Sequence, residues 1–175
     1  LVHCAAHALE RCAACGADYA GLNRLARLLA KNANLRCPPP PQVLSRELQA
    51  AVTGLKEEGN KAFKAGQHQQ AVSKYTMAAS VAVQRPPWEA SQFMREDVSA
   101  ILSNRAASFL EVQDPISALA DADAVVNVRR PWSKGHFRRA KALQQLGDLT
   151  EAAAAARQGL AFEPASVVRT GPPLP

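Results

Sequence analysis

AVSKYTMAA (Ala71–Ala79), ALADADAVV (Ala118–Val126) and AAAAARQGL (Ala152–Leu160) each open on a small residue. Each follows a turn: Gly66-Gln67-His68, Gln113-Asp114-Pro115 and Gly147-Asp148-Leu149. Ala118 and Ala152 stand 34 positions apart, a period that marks arrays of helix-turn-helix units. Ala71 and Ala118 stand 47 apart, one such period plus an insertion. The surplus falls around Arg85-Pro86-Pro87-Trp88, where two prolines forbid helix continuation and open a longer connection.

Composition agrees with helices throughout. Aromatics make up 5% of the 175 residues, alanine is abundant and β-branched runs are scarce, which favours an all-α architecture over a sandwich or barrel. The length fits one domain with an appendage, enough to bury a core without disulfide staples. A net charge of +6 and a pI near 9.5 raise nucleic acid, an anionic membrane or an acidic peptide as partners, and the sign alone does not choose among them. No apolar run approaches the roughly 18 to 20 residues of a membrane-spanning helix, and no export-signal pattern is present, so a soluble chain is expected. It begins at Leu1 rather than Met, which leaves a preceding targeting segment open.

Breakers divide the chain. Pro38-Pro39-Pro40-Pro41 fixes φ at every step and supplies no amide donor, a stiff spacer. Before it, Leu22, Leu25, Leu28 and Leu29 repeat at helical spacing and predict a helix over Asp18 to Lys31. The expected organisation is 1–45, a Cys/His-rich segment with helix and proline spacer; 46–165, the repeat domain; and 166–175, a proline-rich tail.

Gly59, Ala106 and Ala140 supply the small residue that lets paired helices approach closely, and Pro164 closes the third unit. With the spacing above, residues 46 to 164 resemble three tetratricopeptide (TPR) repeats. The resemblance implies a right-handed all-α superhelix. The bulky residue usual in the second helix is kept as Tyr75 but becomes Ala122 and Ala156, which predicts thinner later repeats. Such arrays need a polar cap at the open end, and none is evident after Ala165. The last helix, about Thr150 to Phe162, is therefore expected to expose apolar surface that another protein or the N-terminal segment covers.

Positions four apart share a helix face, so Lys56 and Asn60 in LKEEGNKAF project together, as do Lys134 and Arg138 in WSKGHFRRA. Asn104, in ILSNRAA, stands on the intervening first helix. A peptide's terminal carboxylates need charge-assisted donors to leave water, and Lys, Arg and Asn provide a compact charge, a planar fork and an amide. The set resembles the carboxylate clamp of co-chaperone TPR domains, and all five positions carry that family's residue. The resemblance implies binding of Glu-Glu-Val-Asp tails of cytosolic heat-shock chaperones. Phe63, Phe137 and Lys141 are candidate flanking contacts, with core packing the other role for Phe63. The alternative for the five is ordinary solvated charge.

GLNRLARLLAKN, CPPPPQVL, YTMAASVAVQRPPWEA, LSNRAA and PWSKGHFRRAKAL extend the likeness to the fungal cytosolic TPR subunits of the accessory complex for post-translational Sec translocation. That resemblance implies recruitment of seventy-kilodalton chaperones with their cargo to the channel at the cytosolic face of the endoplasmic reticulum. It also implies a small membrane-anchored Sec partner. A co-chaperone adaptor unconnected with that membrane is the alternative.

Cys4-Ala5-Ala6-His7 and Cys12-Ala13-Ala14-Cys15 are two pairs at the separation of zinc knuckles, although the loop between them is shorter than in common zinc modules. Reduced thiols or a disulfide are the other readings. Cys37 is left over, and His3 and His68 read as surface residues. No phosphate-cradling glycine motif or nucleophile–base pair offers a catalytic site, so an enzyme is not expected. Asp121 and Asp123, two apart, read as surface charges. Arg129, Arg130, Arg138 and Arg139 favour nucleic acid, but no aromatic–basic interleaving supports it.

Overall fold

Six long helices pair as three antiparallel hairpins, following the sequence period. The computed structural model describes residues 1–31, 40 and 43–163; Cys37, most of the proline run, Pro164 and the tail lie outside them. The hairpins are α2 (Arg46–Lys64) with α3 (His68–Ala82), α4 (Ser91–Glu111) with α5 (Pro115–Val128), and α6 (Ser133–Leu146) with α7 (Leu149–Phe162). Before them come a two-residue hairpin, β1 (Arg11–Cys12) paired antiparallel with β2 (Ala17–Asp18), and helix α1 (Ala20–Lys31). Successive hairpins pack through α3 on α4 and α5 on α6, while α2, α4 and α6 form an inner row.

The helix ends are written locally. Ser45 Oγ accepts the Leu48 amide at 3.3 Å, Asp114 Oδ1 that of Ser117 at 3.1 Å, and Asp148 Oδ1 that of Glu151 at 3.0 Å. Pro115 fits the first turn of α5, where its missing amide hydrogen has no partner to lose. Each hairpin turns through one left-handed residue: Gly66 (φ 73°), Gln113 (φ 62°) and Gly147 (φ 86°). Only the middle repeat puts a side chain there, at a steric cost glycine avoids.

The core thins along the array, as the side chains predict. Val52, Tyr75 and Ile101 are fully or nearly fully buried in and beside the first hairpin, whereas Ala118, Ala122, Ala142 and Ala155 dominate later. Ala71, Ala118 and Ala152, which set the repeat register, are all buried. Ala156 is exposed, and Ala155 takes the buried place beside it. Leu149, Leu160 and Phe162 of α7 are exposed. Arg24 donates to the Val83 and Arg85 carbonyls beyond α3, at 3.4 and 3.1 Å.

Two expectations are corrected. Asp121 is not a surface charge: it is 6% exposed and receives two hydrogen bonds from Arg105, at 2.8 and 2.7 Å. Asp123, its side chain 47% exposed, keeps the surface place expected of it and pairs across the next interface with Arg139 at 2.8 Å. His68 is half-buried, its ring edge-on to Phe63 with centroids 5.0 Å apart.

The proline-bearing insertion is tied down by Arg85. Its guanidinium reaches Glu89 and Asp97, each at 2.6 Å, and also Gln49 of α2. Glu89 accepts the Ser45 amide at 2.9 Å, so one buried cation joins the connection, α2 and α4.

Candidate functional site

Lys56 and Asn60 lie one turn apart on α2, Asn104 on α4, and Lys134 and Arg138 one turn apart on α6. The inner row brings these helices side by side. Tyr75, nearly fully buried on α3, donates from its hydroxyl to Asn60 Oδ1 at 2.7 Å. Asn104 Nδ2 donates to the same oxygen at 3.2 Å, and Lys134 Nζ donates to Asn104 Oδ1 at 3.3 Å. A single hydrogen-bonded line thus runs Tyr75–Asn60–Asn104–Lys134 across all three repeats. It fixes the two amides in place, the arrangement a preorganised polar site requires.

The cations beside this line lack counter-ions. Arg85, Arg105, Arg139 and Lys74 each find a carboxylate, yet among the described residues no carboxylate lies within ion-pair distance of Lys56, Lys134 or Arg138. Burial lowers the pKa of Lys134, and the Arg138 charge lowers it further. Burial likewise lowers Arg138, with Glu111 and then Tyr75 drawing it partly back. Arg138, half-buried, is thus held in a partly dehydrated place that disfavours its charge, its Nε buried without a hydrogen-bond partner among the described residues, while Lys134 stands exposed beside it. A group in that state gains from an incoming anion. Burial raises the Tyr75 phenol, so it stays a neutral donor.

The candidate flanking residues separate. Phe137 is 37% exposed, with the Arg138 guanidinium 5.7 Å from its ring centroid. Lys141 is exposed and donates to Gln144 at 3.3 Å. Phe63 packs on the first core cluster, the structural role open to it. Sequence reasoning missed the part of Tyr75 in ordering Asn60 and of Trp132, whose ring lies 5.8 Å from Lys134 Nζ. A tyrosine hydroxyl buried in an array of small residues was the available signal, because such a hydroxyl must find a partner.

A second constellation lies at the start of the chain. His7 Nδ1 is 3.9 Å from Cys4 Sγ, 3.4 Å from Cys12 Sγ and 3.3 Å from Cys15 Sγ. The four side chains could together hold a metal ion, their donor atoms all within 4.8 Å of one another. The Leu9 amide, ahead of weaker contacts, brings the Cys4 thiol down to about 7, while the hydrogen bond with Cys12 raises Cys15.

Three stacked hairpins, the small residues at their contacts and a polar inner row define residues 46–163 as a TPR domain. The chain is similar to the ER protein translocation subcomplex subunit sec67 of Schizosaccharomyces pombe, 36% identical over 123 residues, 70% of this chain and 64% of that protein. It thus spans just under two thirds of that relative. A chain in the structure of the Sec complex from S. cerevisiae shares the fold, with a TM-score of 0.68, 24% identity and coverage of 83% of this chain and 76% of that one. The first TPR of Spaghetti (RPAP3), solved bound to the HSP90 peptide SRMEEVD, superposes with a TM-score of 0.55 at 26% identity, covering 67% of this chain and 82% of that one. No family model matches the sequence.

Proposed function

We propose that the groove lined by α2, α4 and α6 is a carboxylate clamp, in which Lys56, Asn60, Asn104, Lys134 and Arg138 hold the acidic carboxyl end of a partner chain. The observation that carries this reading is the set of cations that, among the described residues, have no counter-ion and stand beside two amides ordered by Tyr75. Lys134 and Arg138 supply charge-assisted donors, Asn104 faces both the α2 and α6 residues, and Lys56 with Asn60 completes the α2 wall. Hydrogen bonds to charged groups contribute about 1.5–3 kcal/mol each, and ordering a flexible tail consumes part of that. Affinity near the micromolar range follows, about −8 kcal/mol, with transient, salt-sensitive binding.

The partner best matched is the Glu-Glu-Val-Asp tail of cytosolic heat-shock chaperones of the seventy-kilodalton class. The adaptor would bring them with cargo to the Sec translocon, lying peripherally on the cytosolic face of the endoplasmic reticulum membrane. Likeness to the sec67 subunit supports the place, and the peptide held by the similar Spaghetti domain supports the ligand class. Among the described residues no helix is long and apolar enough to cross a membrane, so in this reading a small membrane-anchored Sec subunit supplies the attachment. The HSP90 origin of the Spaghetti peptide favours a second reading, a general co-chaperone adaptor away from the translocon.

Titration with a peptide ending in Glu-Glu-Val-Asp, its amidated form and a random oligonucleotide tests the clamp. The free acid is expected to bind and amidation to remove most of the affinity. Equal binding of both peptide forms overturns the clamp. Recovery of Sec subunits from solubilised microsomes separates the two places of action.

A further inference from the structure

Nothing in the clamp uses the first 31 residues, yet they carry the densest group of metal-ligating side chains described in the chain. Cys4 and Cys12 are buried, and Asn23 is the only other buried residue among positions 1–31. Three buried residues, one of them polar, make too small a core to order a segment of this length by apolar burial, and segments this small depend on a staple. Cys4, Cys12 and Cys15 are free, so no disulfide among them is that staple.

We infer that Cys4, His7, Cys12 and Cys15 form a closed tetrahedral zinc site, and that the bound metal is what holds residues 1–31 in the shape that docks on the TPR domain. Zinc bonds of about 2.3 Å to sulfur and about 2.0–2.1 Å to nitrogen place tetrahedral S and N donors about 3.6 Å apart. The three observed separations from His7 Nδ1, 3.9, 3.4 and 3.3 Å, bracket that value. Three thiolates and one imidazole are a donor set suited to zinc, and they lie too close together to surround an iron–sulfur cluster.

The backbone is already bent into two knuckles. Cys12 ends β1 and Cys15 lies in the turn to β2, where Gly16 takes φ 63°. Cys4 and His7 flank a second turn, closed by Ala8 N to Cys4 O at 2.9 Å and Cys4 N to Leu9 O at 3.0 Å. There Ala8 takes φ 52°, a left-handed strain that a bound metal would offset. Four protein ligands fill the tetrahedron and leave no position for substrate, so the site is structural.

The metal would also govern docking. Asn23 of α1 receives the Val2 amide at 2.6 Å and donates to the Val2 carbonyl at 2.7 Å, which fastens the segment leading into Cys4 to the helix. One residue on, Arg24 reaches the Val83 and Arg85 carbonyls of the insertion. Zinc, knuckles, α1 and the insertion are in this way mechanically continuous.

The test is metal analysis of the whole chain, purified under reductant without a metal-affinity column, before and after incubation with zinc chloride. About one zinc per chain is expected, falling below a tenth in Cys15→Ser, a substitution at an exposed position. Chelation is expected to abolish amide-exchange protection in residues 1–31 while that of α2 to α7 persists. Peptide binding need not change, so this result is independent of the clamp. Zinc near zero after incubation, iron in its place, a disulfide by intact mass, or unchanged protection after chelation overturns the inference.

Discussion

Tyr75 presses on Gly59 so closely that a Cβ added to the glycine would lie 2.6 Å from the ring's Cε1, and the same tyrosine donates to Asn60 at 2.7 Å. The contact that closes the first hairpin therefore also sets the α2 side of the groove. A comparable approach joins the second hairpin to the third, where a Cβ on Gly135 of α6 would meet Val125 Cγ1 of α5 at 2.7 Å.

Gly59→Ala should cost about 1–3 kcal/mol through overpacking, partly offset by about 1 kcal/mol of helix propensity, and should weaken peptide binding by shifting Asn60. Gly54, on the same helix with nothing near its Cβ position, is the control: Gly54→Ala should gain roughly 0.5–1 kcal/mol. Urea denaturation and peptide titration of both variants check the pair.

Lys134→Ala and Arg138→Ala are each expected to weaken peptide binding more than about tenfold while moving thermal stability little, because neither cation has an ion partner to lose among the described residues. Calorimetric titration beside thermal melts separates the two effects. Parallel loss of fold and binding would return these residues to a structural role.

Alkaline pH should weaken the clamp earlier than an ordinary lysine predicts, since burial and Arg138 hold Lys134 below its usual 10.5. The sign for folding is opposite. A depressed lysine costs stability at pH values below its folded pKa, and that cost fades as pH rises from the folded to the unfolded value. Peptide affinity should therefore fall over a pH window in which the Lys134 contribution to stability improves. Lys134→Arg should retain binding to higher pH, measured by titration across the alkaline range.

Arg85→Met should be among the most damaging single changes, costing about 3–5 kcal/mol, because it leaves the Glu89 and Asp97 carboxylates buried without their cation. Chemical denaturation of the variant beside the parent protein reads the loss.

Much of this protein is written in short-range terms. The buried alanines at 71, 118 and 152, the turns before them and the capping Asp114 and Asp148 act within a few positions, so the sequence alone determined three hairpins and their register. Spacing by four likewise placed Lys56 with Asn60 and Lys134 with Arg138, because one helical turn is a local quantity. The reach of Tyr75 to Asn60, and of Lys134 to Asn104 thirty positions away, was not legible there.

Tertiary structure alone decided which charges are neutralised. Asp121 looked solvated until the hairpins stacked and set it against Arg105, and Arg85 looked like loop until Gln49, Glu89 and Asp97 closed around it. Ion partners come from different helices, and their meeting depends on the angle and offset at which those helices pack. No local pattern carries that information, which is why the cations left without a counter-ion among the described residues could be told from the rest only after the chain had folded.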